Sequence, residues 1–271
     1  QAFPPSYQDD FTPHDAVADV QRFEAMESDE TPYVHVTRAK GSSGRRIRLA
    51  LYRFEPANLS DILPYMANLG AEVVDERPYH LELADGTSRY IYDFGLEFPQ
   101  DVPESDFERF EDAFKAGWQG KREHGRMDKL IVAGLSWQDV ALLRGFSHYL
   151  RQSGFSLSEK NMGDVYSSHP EISRLLVELF TVKFDPDFTG DRESAVQTKT
   201  EEIFEALAQV SSLDADRILR ATAEVIAATV RTNVFQRDED GQPRRANVFK
   251  IKPELLEFSP KPRPALEMFV Y

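Results

Sequence analysis

The sequence predicts an α+β protein: a βαββα(β) module, then a helical bundle, then a short terminal β segment. Three observations carry that expectation. Runs of period-two alternation rich in Val, Ile, Tyr and Phe interleave with two amphipathic helices in the first half. Apolar residues then recur at i, i+3, i+4 and i+7 through the middle, and alternation returns after Arg231. The corresponding divisions are 1–32, 33–120, 121–232 and 233–271.

Thr12 to Met26 reads as one amphipathic helix, with Thr12 as N-cap, Pro13 at the first helical position, and Ala16, Val17, Val20 and Phe23 toward one side. Polar residues 27–30 end it. Tyr33 to Thr37 and Ile47 to Phe54 alternate on either side of Gly41-Ser42-Ser43-Gly44, a hairpin pattern. That glycine pair lacks the Lys-Ser/Thr of a phosphate loop. Beyond Pro56, Leu59, Ile62, Leu63, Met66 and Leu69 fall at helical spacing and Gly70 closes the helix. Glu72 to Glu76, extended toward Leu83, forms the next strand, Asp85-Gly86 a hairpin turn, and Tyr90 to Phe98 the strand after it. A helix opening at Pro103 and capped at Ser105 carries Phe107, Phe110, Phe114 and Trp118 on one stripe. The order β-α-β-β-α is most of a ferredoxin-like βαββαβ sandwich, in which helices cover one face of an antiparallel sheet.

Ser136 opens the next helix, which runs through Gln152 to Gly154 with Val140, Leu143, Phe146 and Leu150 inward. His169-Pro170 begins another, on which Ile172, Leu175, Leu176, Leu179 and Phe180 make one face. Val196, Ile203, Phe204, Leu207 and Val210 mark a third, and Ile218, Leu219, Thr222, Val225, Ile226 and Val230 a fourth. Residues 233–236 and 247–251 flank Asp240-Gly241 as a hairpin, and a Pro-rich stretch leads into a final strand over 266–271.

Composition excludes several functions. The chain has 271 residues, 32 Lys+Arg against 46 Asp+Glu, a formal charge of −14 and no Cys. Disulfide scaffolds, thiolate metal sites and cysteine nucleophiles are therefore out. The acidic balance disfavours nucleic acid, and no apolar run approaches the ~20 residues of a membrane span. A chain without Cys fits a cytoplasmic protein. It opens at Gln1 with no leader pattern and stops on the strand-like Leu266 to Tyr271, and so reads as a piece of something longer.

Catalytic patterns are not visible. The six His, at 14, 35, 80, 124, 148 and 169, show no metal-ligand spacing, and His148 reads as a packed residue among Phe146 and Tyr149. Asp185 to Asp191 resembles a calcium loop only faintly, because Pro186 takes the second place and Val196 stands where the bidentate Glu belongs. It reads as a connector. Neither Gly-x-Gly-x-x-Gly nor Gly-x-Ser-x-Gly occurs. The acids between Asp106 and Asp112 alternate with inward Phe and read as a solvated helix face. No catalytic, cofactor-binding or metal-ligating residue is assigned.

Several long strings resemble a family. Leu135 to Arg144, Tyr149 to Gln152, His169 to Ile172, Leu175 to Phe180, Asp216 to Arg220, Arg231 to Asn233, Lys261 to Pro264 and Glu267 to Tyr271 look like the large bacterial NAD-dependent glutamate dehydrogenases. The resemblance implies an ACT-type module, helical motifs and only the first strands of a catalytic domain. It implies NAD as cofactor of the parent enzyme, none in this fragment, a catalytically inactive fragment, and partners in the rest of the polypeptide and in a homo-oligomer. Residues 55–63 are similar to the ACT turn Asp-x-Pro-Gly-x-Leu, which makes Pro56, Ala57, Asn58 and Asp61 a candidate effector turn. Ala57 replaces the pattern's Gly, and its Cβ narrows the approach to backbone, so a packing and oligomerisation unit is favoured over an effector site. A free-standing amino-acid-sensing ACT protein with a partner-binding helical half is the alternative.

Overall fold

A computed structural model describes residues 2–39, 41, 44–239 and 241–271. Ser42 and Ser43 of the first expected hairpin turn, and Asp240 of the second, lie outside the described residues. Two compact units divide the chain, Gln1–Trp137 and Gln138–Tyr271.

In the first unit, β1 (Tyr33–Arg38), β2 (Arg46–Arg53), β3 (Glu72–Glu82) and β4 (Ser88–Glu97) form one antiparallel sheet in the order β1-β2-β4-β3. α3 (Leu59–Asn68) connects β2 to β3, and α4 (Phe107–Trp118) follows β4. A ferredoxin-like chain closes its sheet with a strand after the second helix. Here β1, arriving before β2 through the hairpin, fills that place, and the chain continues from α4 into the short α5 (Lys129–Val132). The expected order is therefore circularly permuted.

Alternation sorts the sheet into two faces. Val34, Val36, Ile47, Leu49, Leu51, Phe94 and Leu96 are buried on the side of Ile62 and Met66 of α3 and Phe110 and Phe114 of α4. The opposite face is not left open, as a one-sided sandwich would leave it. A core of Tyr7, Met26, Tyr52, Tyr79, Leu81 and Ile91 joins it to α1 (Pro5–Asp10) and α2 (Pro13–Glu24). α1, six residues long, is too short to show a period in the sequence. α2 starts at the expected Thr12 N-cap and Pro13, with Asp15 completing a capping box, but its inward side is shifted: Ala16 and Phe23 pack against the core as expected, and the valines do not. Val17 is 58% exposed and Val20 43%, whereas Asp19 is buried. Tyr52 of the sheet and Tyr7 of α1 offer hydroxyl donors at this point, and a carboxylate satisfies them where a valine could not. The aromatic stripe of α4 also divides: Phe110 and Phe114 are core, while Arg38 lies over the Phe107 ring and Arg53 over Trp118.

The second unit contains α6 (Trp137–Gln152), α7 (Glu159–Ser168), α8 (Pro170–Phe184), α9 (Arg192–Leu207) and α10 (Leu213–Ala228), followed by an antiparallel sheet β5-β6-β7 (Thr229–Thr232, Val248–Ile251, Glu267–Val270). α7 escapes sequence reading because its ten residues carry only three large apolar side chains, Met162, Val165 and Tyr166, too few to show a period. The expected strand over 233–236 is displaced to 229–232. There Thr229 stays tied to Val225 through its hydroxyl, and Asn233 turns the chain by bonding Val248 N–H and Ala246 O through its side chain. The expected final strand is β7, which bonds β6 along its length. Phe146, Phe180, Phe249 and Phe269 pack ring against ring at the centre.

Candidate functional site

The turn between β2 and α3 holds the four residues singled out by sequence. Asp29 secures its approach, its carboxylate accepting the Phe54 and Glu55 N–H groups at 2.6 and 2.7 Å and pairing with Arg53 at 3.1 Å. Pro56 has no N–H to offer. The Ala57 N–H donates to the Tyr92 hydroxyl at 2.9 Å, and Tyr92 is buried in β4. Asn58 is the N-cap residue of α3 but makes no side-chain cap bond, and its amide instead donates to Asp61 at 3.3 Å. The four residues thus come together at one helix start, where the Ala57 donor is already used. Tyr92 was not singled out by sequence. Its alternation places it on the helix side of β4, but nothing local marks its reach to a turn 35 residues earlier.

Beside this turn is a groove of about 410 Å³ lined by Phe54, Glu55, Thr87, Ser88, Arg89 and Tyr90. The Arg89 guanidinium lies 4.4 Å from the Phe54 ring centroid and donates to Ser88 O at 2.7 Å. His80 stacks on Tyr90 at 4.9 Å and meets the Ser88 hydroxyl at 2.9 Å.

On the sheet face shared with α1 and α2, polar anchors dominate. The buried Asp19 carboxylate accepts the Tyr7 and Tyr52 hydroxyls, both at 2.6 Å, and pairs with Arg22. Burial and the adjacent Asp19 charge push both tyrosine hydroxyls far above their ordinary range. Further along, Arg48 donates to both Asp93 oxygens at 2.8 Å and to Asp75 at 2.9 Å. Burial raises the Asp93 carboxyl above its usual value, with Arg48 opposing the shift. A Cβ on Gly95 would clash with the Asp75 carboxylate, so the glycine leaves the space in which that carboxylate lies. Arg77 then pairs with Asp10, whose other oxygen accepts the Tyr79 hydroxyl at 2.7 Å, and this ties α1 to β3.

In the second unit, the His148 ring lies 5.1 Å from the Tyr271 ring and its Nε2 4.0 Å from Glu159. The 185–191 segment is a connector: Asp185 accepts the Asp187 N–H, Asp191 caps α9, and Arg192 donates to Val182 O and Asp185 O. Lys183 donates to Ile226 O and Ala227 O at the end of α10, and burial lowers its ammonium to about 8. Among the described residues no helix is long and apolar enough to cross a membrane.

Comparison with known proteins gives a consistent order along the chain. Family models match for the glutamate dehydrogenase helical motif 2 over residues 1–26, the glutamate dehydrogenase ACT3 domain over 32–110, glutamate dehydrogenase helical motif 3 over 123–186, and the bacterial NAD-glutamate dehydrogenase catalytic domain over 202–271. The chain is 38% identical over 276 residues to an NAD-specific glutamate dehydrogenase of Halomonas elongata, with 99% of this chain covered. It is 33% identical to the proteins of that name from Pseudomonas aeruginosa and Mycobacterium tuberculosis, across its whole length. It spans about 17% of the length of each of these relatives.

Proposed function

We propose, for a chain that belongs to the bacterial NAD-glutamate dehydrogenase family, that it is a regulatory and structural segment of an enzyme converting L-glutamate, NAD⁺ and water to 2-oxoglutarate, ammonium, NADH and a proton. The catalytic and NAD-binding groups belong to other parts of that polypeptide, and the partners of this segment are those parts and further copies of the enzyme. The order of the four matched models along one chain is the observation that carries this reading. Its test is NADH formation from glutamate by the 271-residue chain and by a polypeptide extended to the full length of the relatives. The reading requires activity in the second alone; turnover by the short chain, or none in the long one, overturns it.

Within the segment, the ACT-type module acts as a packing unit. The support is the Ala57 N–H, which is spent on the buried Tyr92 hydroxyl and not held free for an effector. The competing reading, an effector bound at Pro56, Ala57, Asn58 and Asp61, requires saturable heat when free amino acids are titrated calorimetrically into the chain, and that heat must disappear in Asp61→Ala.

A further inference from the structure

The sheet of the first unit ends in two open strands, β1 and β3, each paired on one side only. An edge strand offers unpaired N–H and C=O groups to any second strand that can reach it. β3 carries the usual deterrents, a bulge between Val73 and Asp75 and several charged residues. β1 has neither over Tyr33-Val34-His35-Val36-Thr37, a run of strong strand formers with no Pro and no Asp, Glu, Lys or Arg. Left bare, it would be the more adhesive of the two edges.

Helix α4 lines this edge with a polar row. Glu111, Lys115 and Gln119 recur at four-residue spacing and meet β1 and its approach at successive points. Glu111 Oε1 accepts the Val36 N–H at 2.8 Å and lies 3.4 Å from His35 Nδ1. Lys115 Nζ stands 5.6 Å from the Tyr33 ring centroid and 4.0 Å from Glu111. Gln119 Nε2 donates to the Thr31 hydroxyl at 2.6 Å. The Val36 donor points away from β2: the Ala39 N–H, three residues on, reaches Arg46 O across the pair, and N–H groups along a strand alternate between its two sides. Glu111 therefore occupies a donor in the middle of the free edge, and its charge makes the bond a strong one.

We propose that Glu111, backed by Lys115 and Gln119, is an edge guard that stops β1 from pairing with β1 of a second copy of this chain. Loss of the carboxylate exposes the Val36 donor to the edge that lacks β3's bulge and charges, the β1 of a second copy present at the same concentration.

Sedimentation equilibrium of the 271-residue chain from low to high micromolar concentration tests this. Glu111→Ala should self-associate at least about tenfold more tightly than the wild type, and Glu111→Gln, which keeps an acceptor oxygen, by less. Adding Val36→Pro to Glu111→Ala removes the exposed donor and should restore the wild-type mass. Unchanged association in a folded Glu111→Ala chain, or association that persists in the double variant, overturns the proposal. Should Glu111→Ala not fold, the wild-type Val36 amide decides: protected exchange agrees, and exchange as fast as an unstructured amide refutes it.

Discussion

Each unit docks helices on a sheet, but the first secures α1 and α2 with carboxylates whereas the second seats its sheet with phenylalanines. Asp19 collects two tyrosine hydroxyls and an arginine, and Asp10 collects Arg77 and Tyr79. Around Phe249, by contrast, the rings of Phe146, Phe180 and Phe269 do the holding. The difference teaches what each anchor is for. Rings supply area and tolerate changes in pH, while a buried carboxylate admits one geometry, because a misplaced donor is left unsatisfied.

Substitutions can break this contrast in graded fashion. Phe249→Ala should cost the most, about 3–5 kcal/mol of second-unit stability, through a cavity among the rings; a denaturant midpoint close to wild type would contradict the apolar account. Asp19→Ala strands two hydroxyl donors and should cost about 2–3 kcal/mol, with increased amide exchange confined to α1 and α2. Gly95→Ala forces the Asp75 carboxylate away from Arg48 and should cost about 1 kcal/mol. Asp75→Ala in the same chain should remove most of that penalty, since the clash loses its partner.

The effects of pH differ in sign between the units. Burial opposes ionisation of Glu111, but bonds from His35 and Val36 outweigh it, so its carboxyl sits below the ordinary value. Its contribution is complete above the unfolded pKa of about 4.3 and is lost as pH falls through the lower folded value. Glu111→Gln should flatten the acid limb of first-unit stability. Lys183 behaves oppositely: folded, it loses its proton near 8, whereas unfolded it holds it to about 10.4. Between those values the unfolded chain binds more protons, so second-unit stability should rise with pH. Lys183→Met should abolish that rise in thermal scans.

Much of this was legible in the sequence where a residue's role is local. Thr12 and Pro13 announce α2, and Ile62, Met66, Phe110 and Phe114 reveal the inward faces of α3 and α4. Reading failed where a distant element decides. Val17 and Val20 look like an inward pair until Tyr52, 33 residues beyond Asp19, supplies a hydroxyl that makes the carboxylate side the buried one. The hairpin of β1 and β2 was legible, but not that β1 takes the place of the strand after the second helix, since alternation does not say which edge of a sheet a strand closes. The candidate turn was visible as a set of residues, yet its engagement by Tyr92 was not, because a tyrosine hydroxyl carries no periodic signature.

The permuted order also bears on how the first unit assembles in time. β1 lies so close to β2 in the chain that Arg38 meets Ile47 across a short loop. A strand placed after α4 would have had to return over roughly 70 residues to the same position, at a closure cost greater by on the order of 1 kcal/mol. With β1 in front, half of the sheet is a local hairpin that can form before α3 has found its place. Only the β2–β4 pairing must then wait for a distant strand, which lowers contact order and favours faster folding.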